Sequence, residues 1–499
     1  MGTVREEART HENTGHAPPE RTVAVAGPAS AARAFTGRLP DGALLPVMAV
    51  VVVCSGVTQG YLTPLLPGVG RHVGVGGVGQ NNLYLLSQVS FAVLTPLLSR
   101  LGDLFGHRRL LRLSVAAVAL GSLLMALRPS VATLSAGMVL QSSVVGFFPL
   151  LAGILRTRAP ERGRTGMSVL VGALLLSIGI GGLIAGTLSD HHAVEGLWTA
   201  VPVALLAVLA TLLLPEGRAA RAGRFHYGAA LLLGLGLVGL VLVLAQGAAW
   251  GWASGRSLGC GLAGVVLLVC WVLVERRATH PLVQVRLLGD PRLAVVNAHT
   301  FCLAFGAIGF LGANAVFLGT DGHEAGYGPG LGSQAISLVS LGMVAAGCAA
   351  STATPYLARR TGDRVMLLTG GIGAALGFLL LVVLHGSLGQ YLLGALVVGG
   401  ATGVFEAVTR SLATEAVPGE ETAVSVGVNE LSLSLGAAIG AAVIGALFAA
   451  HPGRGGHPAQ AGFVWAWGVC AAVALLGALT ALVPCAFRER PATVPPVRG

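Results

Sequence analysis

Residues 95–109 read TPLLSRLGDLFGHRR, and the start of this stretch recurs as TPYLAR at residues 354–359. In both places a long apolar run ends at a Thr-Pro pair, and a short basic turn that contains Gly follows it. Two copies in the same direction, separated by roughly half of the chain, indicate an internal repeat. The repeat predicts a molecule made of two similar halves, joined in parallel order.

The composition of the 499 residues is that of a membrane protein: 54% are hydrophobic, 10% are charged and the mean hydropathy is +0.78. A soluble protein of ordinary composition carries about 25% charged residues. The apolar runs are continuous and close to 20 residues long, which predicts helices, because backbone groups in lipid must be satisfied within the segment. The expected fold is an all-α polytopic membrane protein with fourteen spans, at 44–66, 81–100, 110–127, 131–154, 166–189, 197–214, 228–247, 257–274, 293–318, 334–357, 366–384, 390–415, 423–449 and 461–484.

These spans divide the chain into two six-helix bundles with an extra helix pair between them. We expect a disordered tail, a first bundle, a linking segment with two extra helices, a second bundle and a short tail, at 1–43, 44–214, 215–292, 293–484 and 485–499. All 31 basic residues are Arg, and 26 of them fall on one side of this topology, in both tails and alternate loops. The excess predicts that this side, with both termini, faces the cytoplasm of a cell membrane. The lack of Lys and the abundance of Ala and Gly are typical of a GC-rich bacterial genome such as that of an actinomycete.

Several classes of function are disfavoured by the same residues. The net charge of +10 comes from Arg in short loops, where membrane topology requires it, so a nucleic-acid partner is not expected. No Gly-rich phosphate loop precedes a Lys, no His/Cys cluster has metal spacing, and the seven Cys show no paired spacing. We therefore expect no enzyme activity and no metal or other cofactor. The expected partner is the lipid bilayer, and we expect the protein to work as a monomer.

Four segments resemble the major facilitator superfamily and, within it, the fourteen-helix drug:proton antiporter branch. LGDLFGHRR at 101–109 is similar to the superfamily's loop after the second helix, and LSAGMVLQSSVVGFFP at 134–149 to its fourth-helix signature. AAWGWAS at 248–254 and VERRATHPL at 274–282 resemble the branch. The resemblance covers residues 44–484 and implies a secondary exporter of small hydrophobic or amphipathic molecules, driven by the proton gradient through alternating access.

The resemblance also implies a gating role for the first loop, whose residues here are Asp103, Gly106, Arg108 and Arg109. An Asp at a helix end near Arg side chains can form bonds that one conformation keeps and another breaks. The alternative is a basic loop that only sets the topology.

The chain departs from the branch at three positions in its first half. Thr58 stands where members usually have an Asp, Met138 where they have an Arg, and Gly181-Gly182 where they have Gly-Pro. Any proton coupling must therefore use other residues.

Charged residues away from the ends of the predicted spans are all in the second half. Glu406 and Arg410 lie four residues apart, on one face of span twelve, and Glu430 lies on span thirteen. A charge at this depth costs at least about 2.5–3.5 kcal/mol, so it usually has a function. We hypothesise that Glu430 carries the proton and that Glu406 with Arg410 is its electrostatic partner. A static ion pair between Glu406 and Arg410 is the alternative.

His299 on span nine is the remaining titratable candidate, either a proton carrier or a hydrogen-bonded structural residue. Neutral polar residues of the spans either line a cavity or fasten helices together, and the sequence does not separate the two roles: Thr58, Gln59, Tyr61, Asn82, Gln88, Gln141 and Asn429.

Two rival functions stay open. The departures at Thr58 and Met138 favour a facilitator or cation-coupled exporter without proton exchange. A membrane sensor that has a degenerate transporter fold and moves no substrate is the rival from another class.

Overall fold

The computed structural model describes residues 43–75, 77–188, 192–215, 226–278, 290–307, 309, 311–417, 422–453 and 458–483. The expected tails, at 1–43 and 485–499, lie outside the described residues, apart from residue 43. Within the described part the chain is helical, and its only β features are two isolated bridges.

The first half contains eight α-helices, joined at three places by short 3-10 turns. Their bounds are α1 Leu44–Gly60, α2 Leu62–His72, α3 Gly77–Phe105, α4 His107–Leu127, α5 Val131–Gln141, α6 Phe147–Arg158, α7 Gly163–Leu188 and α8 Ala200–Leu213.

The remainder of the chain forms the extra pair, α9 and α10, and then the second half, which runs from α11 to α18. Their bounds are α9 Tyr227–Trp250, α10 Gly255–Arg277, α11 Pro291–Ala307, α12 Leu311–Gly319, α13 Gly322–Ala325, α14 Ser333–Thr361, α15 Asp363–Val383, α16 Leu388–Glu415, α17 Thr422–Ala450 and α18 Gln460–Thr480.

Each predicted span coincides with one of these helices or with two consecutive ones. Ten helical segments of the described chain are long and apolar enough to cross a membrane, and the bent pair α1–α2 makes eleven. The molecule is thus a multi-pass membrane protein, while a count of fourteen crossings stays a prediction.

Two predicted spans are interrupted in the structure. The axis bends by 43° between α1 and α2, next to Pro64, which has no N–H to bond the carbonyl of Gly60. In the second half, α11 ends at Ala307 and α12 begins at Leu311. Both breaks fall in the first span of a half, which is consistent with the internal repeat.

The repeated Thr-Pro segments have matching local geometry in the two halves. Pro96 and Pro355 both lie inside helices, and the hydroxyl of the preceding Thr donates to a carbonyl one turn back. Each helix then ends at a Gly with positive φ, 99° at Gly106 and 87° at Gly362, a conformation that costs least without a Cβ.

Arg side chains that follow these glycines donate to backbone carbonyls at the end of the last helix of each half. Arg108 and Arg112 of α4 donate to the last carbonyls of α8, and Arg364 of α15 donates to the carbonyls of Ala481 and Leu482 after α18. We call this end of the molecule the basic face. Its Arg content is what predicts a cytoplasmic location.

The halves meet along two seams. Helix α7 packs on α14, and α3 packs on α17; α6 also contacts α17, and α7 also contacts α16. In the extra pair, α9 lies against both α3 and α17, and α10 packs mainly on α9. The extra pair therefore lies alongside the α3–α17 seam and does not separate the halves.

Glycine spacing brings α7 and α14 close together. Gly172, Gly179 and Gly186 recur every seven residues on α7, and an added Cβ would come within 3.0 Å of Ser351, 2.2 Å of Val344 and 2.2 Å of Ser337 on α14. Small residues at this spacing allow two helices to approach closely.

Candidate functional site

The in-span charges of the second half form one cluster, which we call the ion triad: Glu406, Arg410 and Glu430. Arg410 Nη1 donates to Glu406 Oε2 at 2.5 Å, one turn away on α16. From α17, Glu430 accepts at Oε1 from Arg410 Nε at 2.5 Å and at Oε2 from Nη2 at 3.2 Å. One guanidinium therefore binds two carboxylates on neighbouring helices.

The triad is buried unevenly. The side chains of Arg410 and Glu406 are 3% and 5% exposed, whereas that of Glu430 is 14% exposed. Removing one partner of a buried ion pair costs about 3–5 kcal/mol, because the other charge is left without compensation. Glu430 is the carboxylate of the triad that solvent reaches most easily.

An aromatic side chain from the other half lies against Arg410 of the triad. The guanidinium carbon of Arg410 lies 4.8 Å from the ring centroid of Phe148, on α6. This distance is typical of a cation–π contact. Phe148 is itself buried, and it belongs to a core cluster that also includes Ala413 and Val426 of the second half.

His299 and Asn429 lie on other surfaces of their helices. His299 is buried on α11 with Nδ1 2.9 Å from the carbonyl oxygen of Gly477, so it faces α18. The Asn429 amide donates to Thr300 Oγ1 at 2.7 Å and therefore faces α11. The structure does not bring either residue into contact with the triad.

The polar candidates of the first half bond to one another or to their own helices. Gln141 Nε2 donates to Tyr61 Oη at 2.9 Å and to Ser122 Oγ at 2.8 Å. This buried group lies at the bend between α1 and α2 and at the end of α5.

Thr58 donates to the carbonyl of Cys54 at 2.8 Å, and Gln59, which is exposed, donates to Ser55 Oγ at 2.9 Å. Asn82 and Gln88 are on α3, but their side chains lie outside the described part.

The loop at 101–109 joins the halves through Asp103. Its Oδ1 lies 2.8 Å from Nε2 of His107, and its Oδ2 accepts from the backbone N–H of Val424, in the first turn of α17, at 3.2 Å. A carboxylate is favoured at this place because helix N-termini carry free N–H groups and partial positive charge. Arg108 instead bonds the end of α8 and Arg109 is exposed, and the side chain that bonds Asp103 is that of His107.

Sequence reasoning missed a stronger connection, which we call the clasp: Arg164, Asp363 and Glu415. Arg164, at the start of α7, bonds both oxygens of Asp363 at 2.6 and 2.8 Å and both oxygens of Glu415 at 2.6 and 2.7 Å. Bidentate pairs of this kind are the strongest charge-assisted hydrogen bonds. They tie α7 of the first half to α15 and α16 of the second.

Arg156 adds a parallel connection near the clasp. From α6 it donates to the backbone carbonyls of Thr414 and Val417, at the end of α16. In the sequence, Arg156 and Arg164 are indistinguishable from Arg residues that only set topology, because their partners lie about 200 to 260 residues away. The halves are thus joined at the basic face in this conformation.

Among the described residues, no group of three or more His, Cys, Asp or Glu side chains is arranged to hold a metal ion. The chemistry that the triad can perform is proton binding by a carboxylate.

Comparisons with known proteins agree with this architecture. A family model described as Major Facilitator Superfamily matches residues 300–499. Multidrug resistance protein Stp of Mycobacterium tuberculosis is 28% identical over 392 residues, which cover 77% of this chain and 72% of that protein. Multidrug efflux pump LfrA of Mycolicibacterium smegmatis is 25% identical over 425 residues, covering 83% and 82%.

Among solved structures, the human organic anion transporter MFSD10 aligns with a TM-score of 0.62 at 18% identity, over 89% of this chain and 100% of that one. This likeness concerns the fold alone. The tetracenomycin C resistance and export protein of Streptomyces glaucescens is 30% identical over 382 residues, which cover 74% of this chain and 69% of that protein. With the fold, the repeated loop and these matches taken together, the chain belongs to the major facilitator superfamily.

Proposed function

We propose that this protein exports drugs or small natural products across the cytoplasmic membrane by alternating access, in exchange for protons. Relatives named for multidrug resistance, multidrug efflux and tetracenomycin C export support the cargo class. The ion triad supports the coupling. In this proposal the basic face is cytoplasmic, and the protein works as a monomer.

The observation that carries the proposal is the sharing of Arg410 between two carboxylates. With both ionised, the triad has a formal charge of −1. If Glu430 takes up a proton, Arg410 keeps its bond to Glu406, and the triad becomes neutral without leaving a cation unpaired. Such a cluster can alternate between two protonation states at modest cost, which proton coupling requires.

Alternating access is supported by the contacts at the basic face. The clasp, Arg156 and Asp103 all bridge the halves there, and every one of these contacts must break before that face opens. We infer that the described conformation is closed towards the cytoplasm, and that rocking of the halves opens it.

The test uses proteoliposomes with a pH gradient, a pH-sensitive dye inside, and ethidium, puromycin and tetracenomycin C as probes. We expect Glu430→Gln to lower gradient-driven transport at least about tenfold, because the amide cannot cycle between charge states. Glu406→Gln should lower gradient-driven transport too. Glu430 is then the one carboxylate that neutralises Arg410, so its protonation would leave the guanidinium unpaired. Glu161→Gln is the matched control, an exposed carboxylate outside the triad, and it should have no effect.

Full gradient-driven export by both Glu430→Gln and Glu406→Gln would refute the coupling role. The same assay separates the rivals. A facilitator or cation-coupled exporter, which the neutral Thr58 favours, moves substrate without protons. A silent sensor moves neither.

A further inference from the structure

All of the ion pairs of the triad lie within one half of the molecule. Glu406 and Arg410 share α16, and Glu430 is on α17, which packs against α16. If each half rocks as a rigid body, the distances between these three side chains do not change. Coupling to the conformation must therefore come from a contact that crosses between the halves.

Phe148 makes such a contact. Its ring lies over the Arg410 guanidinium, whose three nitrogens are already directed at the two carboxylates. In-plane bonds occupy the edge of a guanidinium and leave its flat faces available to an aromatic ring. The Phe148 ring supplies no competing hydrogen bond, and the Arg410 side chain is only 3% exposed.

The helix that carries Phe148 packs on α17 and is bonded to the end of α16 near the basic face. Arg156, two turns beyond Phe148 on α6, bonds the carbonyl of Thr414, one turn beyond Arg410 on α16. When the halves separate at the basic face, α6 leaves α16, and the ring leaves Arg410 with it.

We propose that Phe148 is a positioning residue that seals the ion triad against water from the basic face. Its withdrawal with the first half admits water to Glu430, the most exposed member, and permits proton exchange with that side. The inference rests on the proposed function. It names the contact through which movement of the halves changes the access of water to the carboxylates. Among the described residues, the ion pairs at this place are those of Arg410 with Glu406 and Glu430. His299, the other titratable candidate, faces α18.

A substrate-free leak assay tests the seal on the full-length protein. Proteoliposomes receive a pH gradient without drug, and proton entry is followed with the trapped dye. We expect Phe148→Leu, which keeps similar volume but has no π face, to leak about five times faster than the wild type or more. Phe148→Tyr keeps the ring and should stay within about twofold of the wild type.

Phe147→Leu is the matched control. Phe147 is fully buried next to Phe148, and no contact with Arg410 is recorded for it. It reports the effect of losing an aromatic core residue without exposing the triad, and it should not leak. If Phe148→Leu fails to fold, Phe148→Met is used in its place.

Wild-type leak in Phe148→Leu, or equal leaks in Phe148→Leu and Phe147→Leu, would overturn the proposal. This result is distinguishable from failure of the proposed function. If the wild type moves no protons with any drug while Phe148→Leu still leaks, the exchange mechanism fails and the seal stands. If wild-type exchange is normal and Phe148→Leu does not leak, the seal alone fails.

Discussion

The Asp103 carboxylate connects the loop at 101–109 with the start of α17 in the other half. The sequence placed it beside Arg108 and Arg109, but its ring partner is His107, and its second oxygen bonds the first turn of α17. The chain reverses direction at Gly106, so His107 at the start of α4 comes back against Asp103 in the last turn of α3, whereas Arg108 faces α8. The contact with α17 crosses 321 residues of sequence, so no local pattern contains it.

We expect Asp103→Asn to loosen the start of α17. An amide oxygen still accepts the Val424 N–H, but the loss of charge removes a favourable interaction with the helix N-terminus of about 0.3–1 kcal/mol. Hydrogen exchange of the first turn of α17 should accelerate about two- to fivefold. Arg109→Gln, an exposed change in the same loop, is the control. Unchanged exchange in Asp103→Asn would show that the bond does not hold the helix.

The triad was predictable in part at the same scale. Glu406 and Arg410 followed from their spacing of four residues, and Glu430 from its position within an apolar run. The hypothesis that Arg410 is the partner of Glu430 came from their similar depth, while the two-oxygen contact between them and the turn of His299 towards α18 depend on how α16, α17 and α18 pack. Phe148 carried no signal, because one Phe in an apolar span is indistinguishable from its neighbours.

Helices were the most predictable level of the structure. Lipid forces a long apolar run to satisfy its own backbone, and each predicted span coincides with helical structure. The interruptions after Gly60 and Ala307 escaped prediction, because hydropathy stays high through both. Pro64 was the available signal for the first.

The α7–α14 seam yields a signed prediction for stability. Gly179→Ala gains about 0.5–1 kcal/mol of helix propensity, but its Cβ would lie 2.2 Å from Val344, and overpacking of this kind typically costs about 1–3 kcal/mol. Net destabilisation is expected, measured as a lower Tm in detergent.

Gly468→Ala on α18 is the matched control. No atom outside its own helix lies near its added Cβ, so the propensity gain should appear alone as a small rise in Tm. A Tm that rises equally in both variants would mean that the seam tolerates a methyl group.

At the scale of the whole molecule, the connection between the halves at the basic face depends strongly on one side chain. Arg164 bonds two carboxylates on two helices of the other half. It is about one-third exposed, so screening by salt weakens the clasp.

We expect Arg164→Ala to shift the population towards an open basic face about five- to thirtyfold, the factor that corresponds to ~1–2 kcal/mol from two partly exposed bidentate pairs. Spin labels at the exposed positions Glu161 and Thr361, in a background without the native cysteines, would report longer distances. Raising the salt concentration should lengthen the wild-type distances in the same direction. Arg109→Ala serves as the control, and distances identical to wild type in Arg164→Ala would exclude the clasp as a lock.

The charge of the triad has an electrical consequence. Two carboxylates and one guanidinium sum to −1, and one bound proton brings the sum to zero. If the proposed exchange takes up one proton per cycle, exchange for a neutral molecule moves net charge across the membrane, and each elementary charge gains about 2.3 kcal/mol per 100 mV. Exchange of one proton for a monovalent cation moves none. The membrane potential of a proteoliposome can be set with valinomycin and potassium. The export rate of uncharged drugs should then depend on the potential, whereas the export rate of monovalent cationic drugs should depend only on the pH gradient.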